Sequence, residues 1–106
     1  MSVEKLVKDG MVAVMYSPGY GAGWSTWAGS ADIECCLFDN EIAQAVLDGD
    51  KKEAERIAEK KMPNQYMGGL RDLRVYWMKQ GTQFEIDEYD GNESVREIGE
   101  IQFHIA

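Results

Sequence analysis

The sequence predicts an α+β fold in a single domain spanning residues 1–106: a two-layer arrangement with one antiparallel sheet covered by two short helices. The sheet is expected to combine an N-terminal strand with a C-terminal three-stranded meander. Three observations predict this. Apolar residues recur at helical spacing between Asp39 and Met62. From Leu73 onward they alternate with period two. Strands and helices are segregated along the chain, which suits two layers and disfavours a doubly wound parallel sheet. A chain of 106 residues can hold one core without staples, because it buries roughly two-thirds of its unfolded surface.

The first strand is the run "MVAVMYS", Met11 to Ser17, closed by Pro18 and Gly19. It is short, apolar and valine-containing, as a buried strand should be. Lys8, Asp9 and Gly10 read as the turn into it. The preceding "VEKLV" suits a short strand or a helical turn equally. Asp39 or Asn40 then serves as N-cap for a helix whose Ile42, Val46 and Leu47 share one face, and Gly49 terminates it. Asp50 stands three residues before Glu53, as in a capping box, and opens a second helix. Ala54, Ile57, Ala58 and Met62 form its apolar stripe, and Pro63 ends it. The charges of "KKEAERIAEKK" read as a solvated face.

In the C-terminal part, Leu73, Val75 and Trp77 share one strand face, and Arg74 and Tyr76 the other. Phe84 and Ile86 continue the inward alternation, with Glu85 and Asp87 outward. Asp90-Gly91 is a hairpin signal. Ile101, Phe103 and Ile105 form the last inward face, and a bulge or bend at Gly99 would bring Ile98 into phase with them.

The formal net charge is −8. It disfavours direct binding to nucleic acid or anionic lipid. No apolar run approaches the ~18 residues of a membrane span, and "MSVEKLVKDG" has no signal-peptide core. A cytoplasmic protein is expected. Cys35 and Cys36 are adjacent, His104 is the only histidine, and no further ligands stand nearby in sequence. The thiols therefore read as small buried apolar residues, with no metal or other cofactor. No nucleophile triad is visible. An enzyme acting through Glu34 or Asp39 is the least supported class, and no catalytic residues are assigned.

The segment "SPGYGAGWSTW", Ser17 to Trp27, is the strongest candidate binding element. It matches neither a P-loop nor a dinucleotide fingerprint, since no Gly-Lys-Ser/Thr follows and Trp24 stands where a third glycine belongs. Its chemistry is more informative. Gly19, Gly21 and Gly23 let backbone N–H groups turn toward an anion. Tyr20, Trp24 and Trp27 offer flat surfaces for a ring, and Ser25 and Thr26 offer hydroxyls. Tyr20 and Trp24 are expected to face a ligand and Trp27 to anchor the loop. The competing reading is a structural corner, with the glycines serving tight turns and the rings packed in the core. Arg71 and Arg74, close to the Gly68-Gly69 pair, form a candidate anion clamp; taken singly, each suits pairing with a carboxylate. The acidic run "EIDEYDGNE" misses the EF-hand spacing. It reads as a solvated hairpin tip or as a strip imitating phosphates.

The segments "VAVMYSPGYGAGWSTW", "LFD" (Leu37 to Asp39), "GGLRDL" (Gly68 to Leu73) and "EYDG" (Glu88 to Gly91) resemble a group of small uncharacterised proteins of tailed bacteriophages. The resemblance implies a setting, the cytoplasm of an infected bacterium, and a role in host takeover or evasion of host defence. It assigns no residue a role.

Two function classes follow. The first is a non-enzymatic binding module for a small anionic, nucleotide-like ligand, held by Tyr20, Gly21, Gly23, Trp24, Ser25, Thr26, Arg71 and Arg74, and sequestering a host defence signal. The alternative is an acidic inhibitor that imitates nucleic acid and blocks a host defence protein through Glu85, Asp87 and Glu88. A homodimer or higher oligomer is compatible with either, through an edge strand of the meander.

Overall fold

The computed structural model describes residues 3–19, 23–98 and 104–105. The fold is α+β, with three helices and antiparallel sheets. Strands β1 (Val7–Lys8), β2 (Met11–Tyr16) and β3 (Arg74–Lys79) form one sheet in the order β1-β2-β3. Strands β4 (Gln83–Tyr89), β5 (Asn92–Ile98) and β6 (His104–Ile105) form a second in the order β5-β4-β6. The expected bulge at Gly99, and the inward faces of Ile101, Phe103 and Ile105, fall on residues or side chains outside that description.

The strands thus divide between two sheets instead of sharing one. β3 does not stay with the meander. It pairs along its whole length with β2, from Met11 opposite Lys79 to Tyr16 opposite Arg74. The reason lies in β2 itself, which is apolar on both faces and needs cover on both. Ala13 and Met15 face one cluster with Ile42, Ala43, Ala54 and Ala58 from the helices. Val12 and Val14 face another with Leu37, Phe38, Met78 and Phe84, against which Ile86 and Val95 of the second sheet pack. The result is the helices of residues 40–61 on one side of β2–β3, and the β4–β5 hairpin with Leu37 and Phe38 on the other.

Two Asp-Gly turns set the strand registers. At Asp9-Gly10 φ is 53° and 78°, and at Asp90-Gly91 it is 54° and 85°. Positive φ at both central residues is the hairpin geometry that matches strand twist. Ahead of the first turn, only Val7 of "VEKLV" joins the strand, opposite Val12, while Lys5 makes an isolated bridge to Asp39 and no helical turn forms. The second places Tyr89 opposite Asn92 and therefore Glu88 opposite Glu93.

The helices are α1 (Ile33–Phe38), α2 (Asn40–Leu47) and α3 (Lys51–Lys61). Asp39 caps α2, its Oδ1 accepting from Ile42 N at 3.0 Å. Its other oxygen accepts from Lys61 Nζ at 2.7 Å, which ties the start of α2 to the end of α3. Partial burial works against the Lys61 ammonium, but hydrogen bonds to Asp39 and Glu41 outweigh it and raise its pKa. α2 ends at Gly49 (φ 76°). There Gly49 N donates to Val46 O at 3.1 Å and Asp50 N to Ala45 O at 3.0 Å. These are the two bonds of a Schellman motif. Asp50 then caps α3 through Glu53 N at 3.1 Å. Among the described residues, no helix is long and apolar enough to cross a membrane.

A 3-10 turn at Gly68–Asp72 closes the helical side. Gly69 in this turn lies directly against the backbone carbonyl of Gly23, where an added Cβ would collide with the oxygen. Neither neighbour is a side chain that can swing away. Gly69→Ala is therefore expected to destabilise the fold by about 2 kcal/mol. Gly29→Ala, which meets open space, should change stability by less than about 0.5 kcal/mol. Urea unfolding midpoints compare the two.

Candidate functional site

The glycine and aromatic segment runs from the end of β2 into a 3-10 turn at Ser25–Trp27. The first N–H groups of such a turn have no partner within it. Trp24 occupies the capping position and has no side-chain oxygen to offer. The cap comes instead from β5. Glu93 Oε2 accepts from Trp24 N at 2.6 Å, Thr26 N at 3.1 Å and Thr26 Oγ1 at 2.6 Å. Its other oxygen accepts from Ser17 N at 2.9 Å. Glu93 N donates to Ser17 O at 2.7 Å, so the two residues are bound in both directions. Glu93 is 1% exposed. The backbone of this segment does turn toward an anion, as its glycines suggested, and that anion is the protein's own carboxylate.

This arrangement reverses the expected roles of the tryptophans. Trp24, expected to face a ligand, is fully buried. Its Nε1 donates to Cys36 O at 2.9 Å, and its carbonyl accepts from the buried Gln65 Nε2 at 3.3 Å. With ring and backbone both committed inward, it is the anchor. Trp27, expected to be the anchor, is 44% exposed. Its ring stacks on Tyr66 with centroids 6.0 Å apart and planes 28° apart. Ser25 is buried, and Thr26 is exposed with its hydroxyl held by Glu93. Gly23 is buried against Gly69. Tyr20 and Gly21 lie outside the described residues.

A cleft of about 330 Å³ opens between the start of α3 and the 3-10 turn at Gly68–Asp72. Lys51, Lys52 and Arg71 give it positive charge, Glu55 the opposing charge, and Met67, Gly68 and Leu70 the remaining wall. Gly68 lies between the two features: it lines the cleft, and a Cβ there would strike the Tyr66 ring, although neither Tyr66 nor Trp27 lines the cleft itself. Arg71 projects from the 3-10 turn and is exposed. Arg74 opens β3, also exposed, outside the cleft lining. The two arginines therefore do not form one clamp; Arg71 joins two lysines instead. Lys51 Nζ donates to Leu73 O at 2.9 Å. Partial burial lowers its pKa, Asp72 opposes the shift, and Arg74 adds to it.

The acidic hairpin is internally engaged. Glu85 and Asp87 both pair with Arg96, the latter at 3.0 Å. Glu88 accepts from Gly91 N at 2.7 Å and lies 3.4 Å from Trp27 Nε1. Among the described residues, no group of three or more His, Cys, Asp and Glu is arranged to hold a metal ion. Asp39 is committed to its cap and to Lys61, while Glu34 is exposed on α1.

Sequence reasoning missed Glu93, Lys51 and Lys52 as members of these constellations. Glu93 was findable. Once Asp90-Gly91 is a two-residue turn, period two places Glu93 on the face of Ile86 and Val95, pointing inward. The lysines also left a signal. Two ammonium groups in the first turn of α3 oppose the helix dipole, whose positive end favours acids.

The cysteines are free, Cys35 half-buried and Cys36 buried. Partial burial first, then the Asp39 carboxylate, pushes the Cys35 pKa up to about 11. Burial, then Cys35, pushes Cys36 still higher. Both thiols stay protonated at neutral pH, which makes them poor nucleophiles. Comparison with protein-family models, with curated proteins and with solved structures gives no significant match.

Glu93→Ala leaves the N–H groups of Ser17, Trp24 and Thr26 without their acceptor. A loss of about 3 kcal/mol or more is expected in urea unfolding, because each buried unpaired donor costs roughly 1–3 kcal/mol. Glu93→Gln should recover only part, since its amide nitrogen cannot accept. For the thiols, an unfolded cysteine ionises near 9.0 and folded Cys35 near 11. Between these values the unfolded chain releases protons that the folded chain keeps, so stability falls as pH rises. The urea midpoint should drop more between pH 8 and pH 10 for the native chain than for the Cys35→Ala/Cys36→Ala variant.

Proposed function

We propose that the protein is a non-enzymatic binding module for a small anionic ligand with a flat ring, of nucleotide type. One observation supports this above the rest. An exposed, stacked Trp27–Tyr66 pair lies against Gly68, a lining residue of a cleft carrying Lys51, Lys52 and Arg71, in a chain of net charge −8. A ring stacks on the aromatic surface. A phosphate or carboxylate is met by the Arg71 fork and the two ammonium groups. The N–H groups of Ser17, Trp24 and Thr26 take no part, because Glu93 engages them. Set beside the resemblance to phage proteins, binding of this kind amounts to sequestering a nucleotide signal.

The acidic-inhibitor alternative draws less support. Glu93 is buried, Arg96 offsets Glu85 and Asp87, and Glu88 is held by the turn. That leaves the hairpin short of an uninterrupted strip of free carboxylates.

Isothermal titration with a panel of nucleotides tests the reading. Trp27→Ala and Arg71→Ala, both at exposed positions, should each weaken binding by about tenfold, the equivalent of about 1.4 kcal/mol. Raising salt should weaken it further, as screening acts on an exposed ion contact. Absence of binding across the panel, or affinity unchanged by Trp27→Ala, would overturn the proposal.

A further inference from the structure

We infer that Lys51 is a reactive amine that forms an imine with small phosphorylated aldehydes or ketones held in the Lys51–Lys52–Arg71 cleft. The inference rests on the anion-binding half of the function proposed above and is independent of the aromatic half. Its basis is positional. Lys51 lines the cleft, and its Nζ is held at the cleft's margin by a 2.9 Å hydrogen bond to the carbonyl of Leu73, which lies outside the lining. Lys52 and Arg71 line the same cleft and supply charge for a phosphate. A phosphate bound there brings an attached carbonyl to the amine as an intramolecular reactant.

The surroundings also disfavour a proton on Nζ. Lys51 is the first residue of α3, at the positive end of the helix dipole. Partial burial removes some of its hydration, and Arg74 adds like charge, against which Asp72 acts. An amine that holds its proton less tightly has more of the free base that attacks carbonyls. In the reaction, Nζ adds to the carbonyl carbon and a C–N bond forms. The carbonyl oxygen then leaves as water, which in net takes both hydrogens of the neutral amine, and a C=N bond remains. No oxidant or reductant is consumed.

Pyridoxal 5′-phosphate is the first probe, since it carries a phosphate, a ring and an aldehyde. Its imine is trapped with borohydride and located by peptide mass spectrometry. Lys51 should be labelled about tenfold faster than Lys60 or Lys79, because only Lys51 gains from the bound phosphate. Inorganic phosphate should compete, and Arg71→Ala should slow labelling. Lys51→Arg should abolish it while leaving the circular dichroism spectrum unchanged. Even labelling across the lysines, labelling at Lys52 in place of Lys51, or labelling insensitive to phosphate would overturn the inference. Glyceraldehyde 3-phosphate, which lacks a ring, separates this idea from the function proposed above. Its reaction at Lys51 should survive Trp27→Ala, whereas nucleotide binding should not. Failure of nucleotide binding with labelling intact removes only the aromatic half; failure of both phosphorylated probes to label Lys51 sinks the imine.

Discussion

A carboxylate taken out of water must find donors, and a run of backbone N–H groups turned inward must find an acceptor. Glu93 and the segment Ser17–Thr26 meet both needs at once. The side chain accepts from three backbone N–H groups and one hydroxyl, and its own N–H returns a bond to Ser17. This contact joins the end of β2 to the start of β5, which belong to different sheets. It also fixes the 3-10 turn, so Trp24 points into the core and Trp27 points out. The placement of every aromatic ring described in the segment follows from where that carboxylate sits.

The second organising feature is β2. Its apolar run reads as a buried strand, and the structure covers it with α2 and α3 on one side and the β4–β5 hairpin and the end of α1 on the other. Pairing β3 with β2 places Leu73, and the 3-10 turn before it, beside the first turn of α3. That proximity creates the basic cleft. The adjacent Lys51 and Lys52 are far from Arg71 in sequence and become its neighbours because a strand left the meander to complete a central sheet.

Local chemistry made much of the fold legible. The Asp39 and Asp50 caps, the Gly49 stop and both Asp-Gly turns follow from side-chain oxygens and from residues that tolerate positive φ. These are short-range effects, and the chain declares them directly. Strand partnership was less legible, because period two states which way residues face and not which strand lies alongside. β3 reads the same whether its neighbour is β2 or β4. The loop shows a different limit. Its composition announced an anion and rings, but an internal carboxylate and an external ligand satisfy the same donors.

By itself, then, the sequence left the glycine segment open between a ligand site and a structural corner, and it determined the α+β class, the ends of α2 and α3 and the hairpin turns. These depend on propensity, capping and periodicity within a few residues. Only the tertiary structure decided that the anion is Glu93, that Trp24 is the anchor and Trp27 the exposed ring, and that Arg71 joins Lys51 and Lys52 and not Arg74. The first two outcomes turn on which of several chemically equivalent partners lies within about 3 Å, and the third on which side chains line one cleft. Distance across the fold, not residue type, makes that choice.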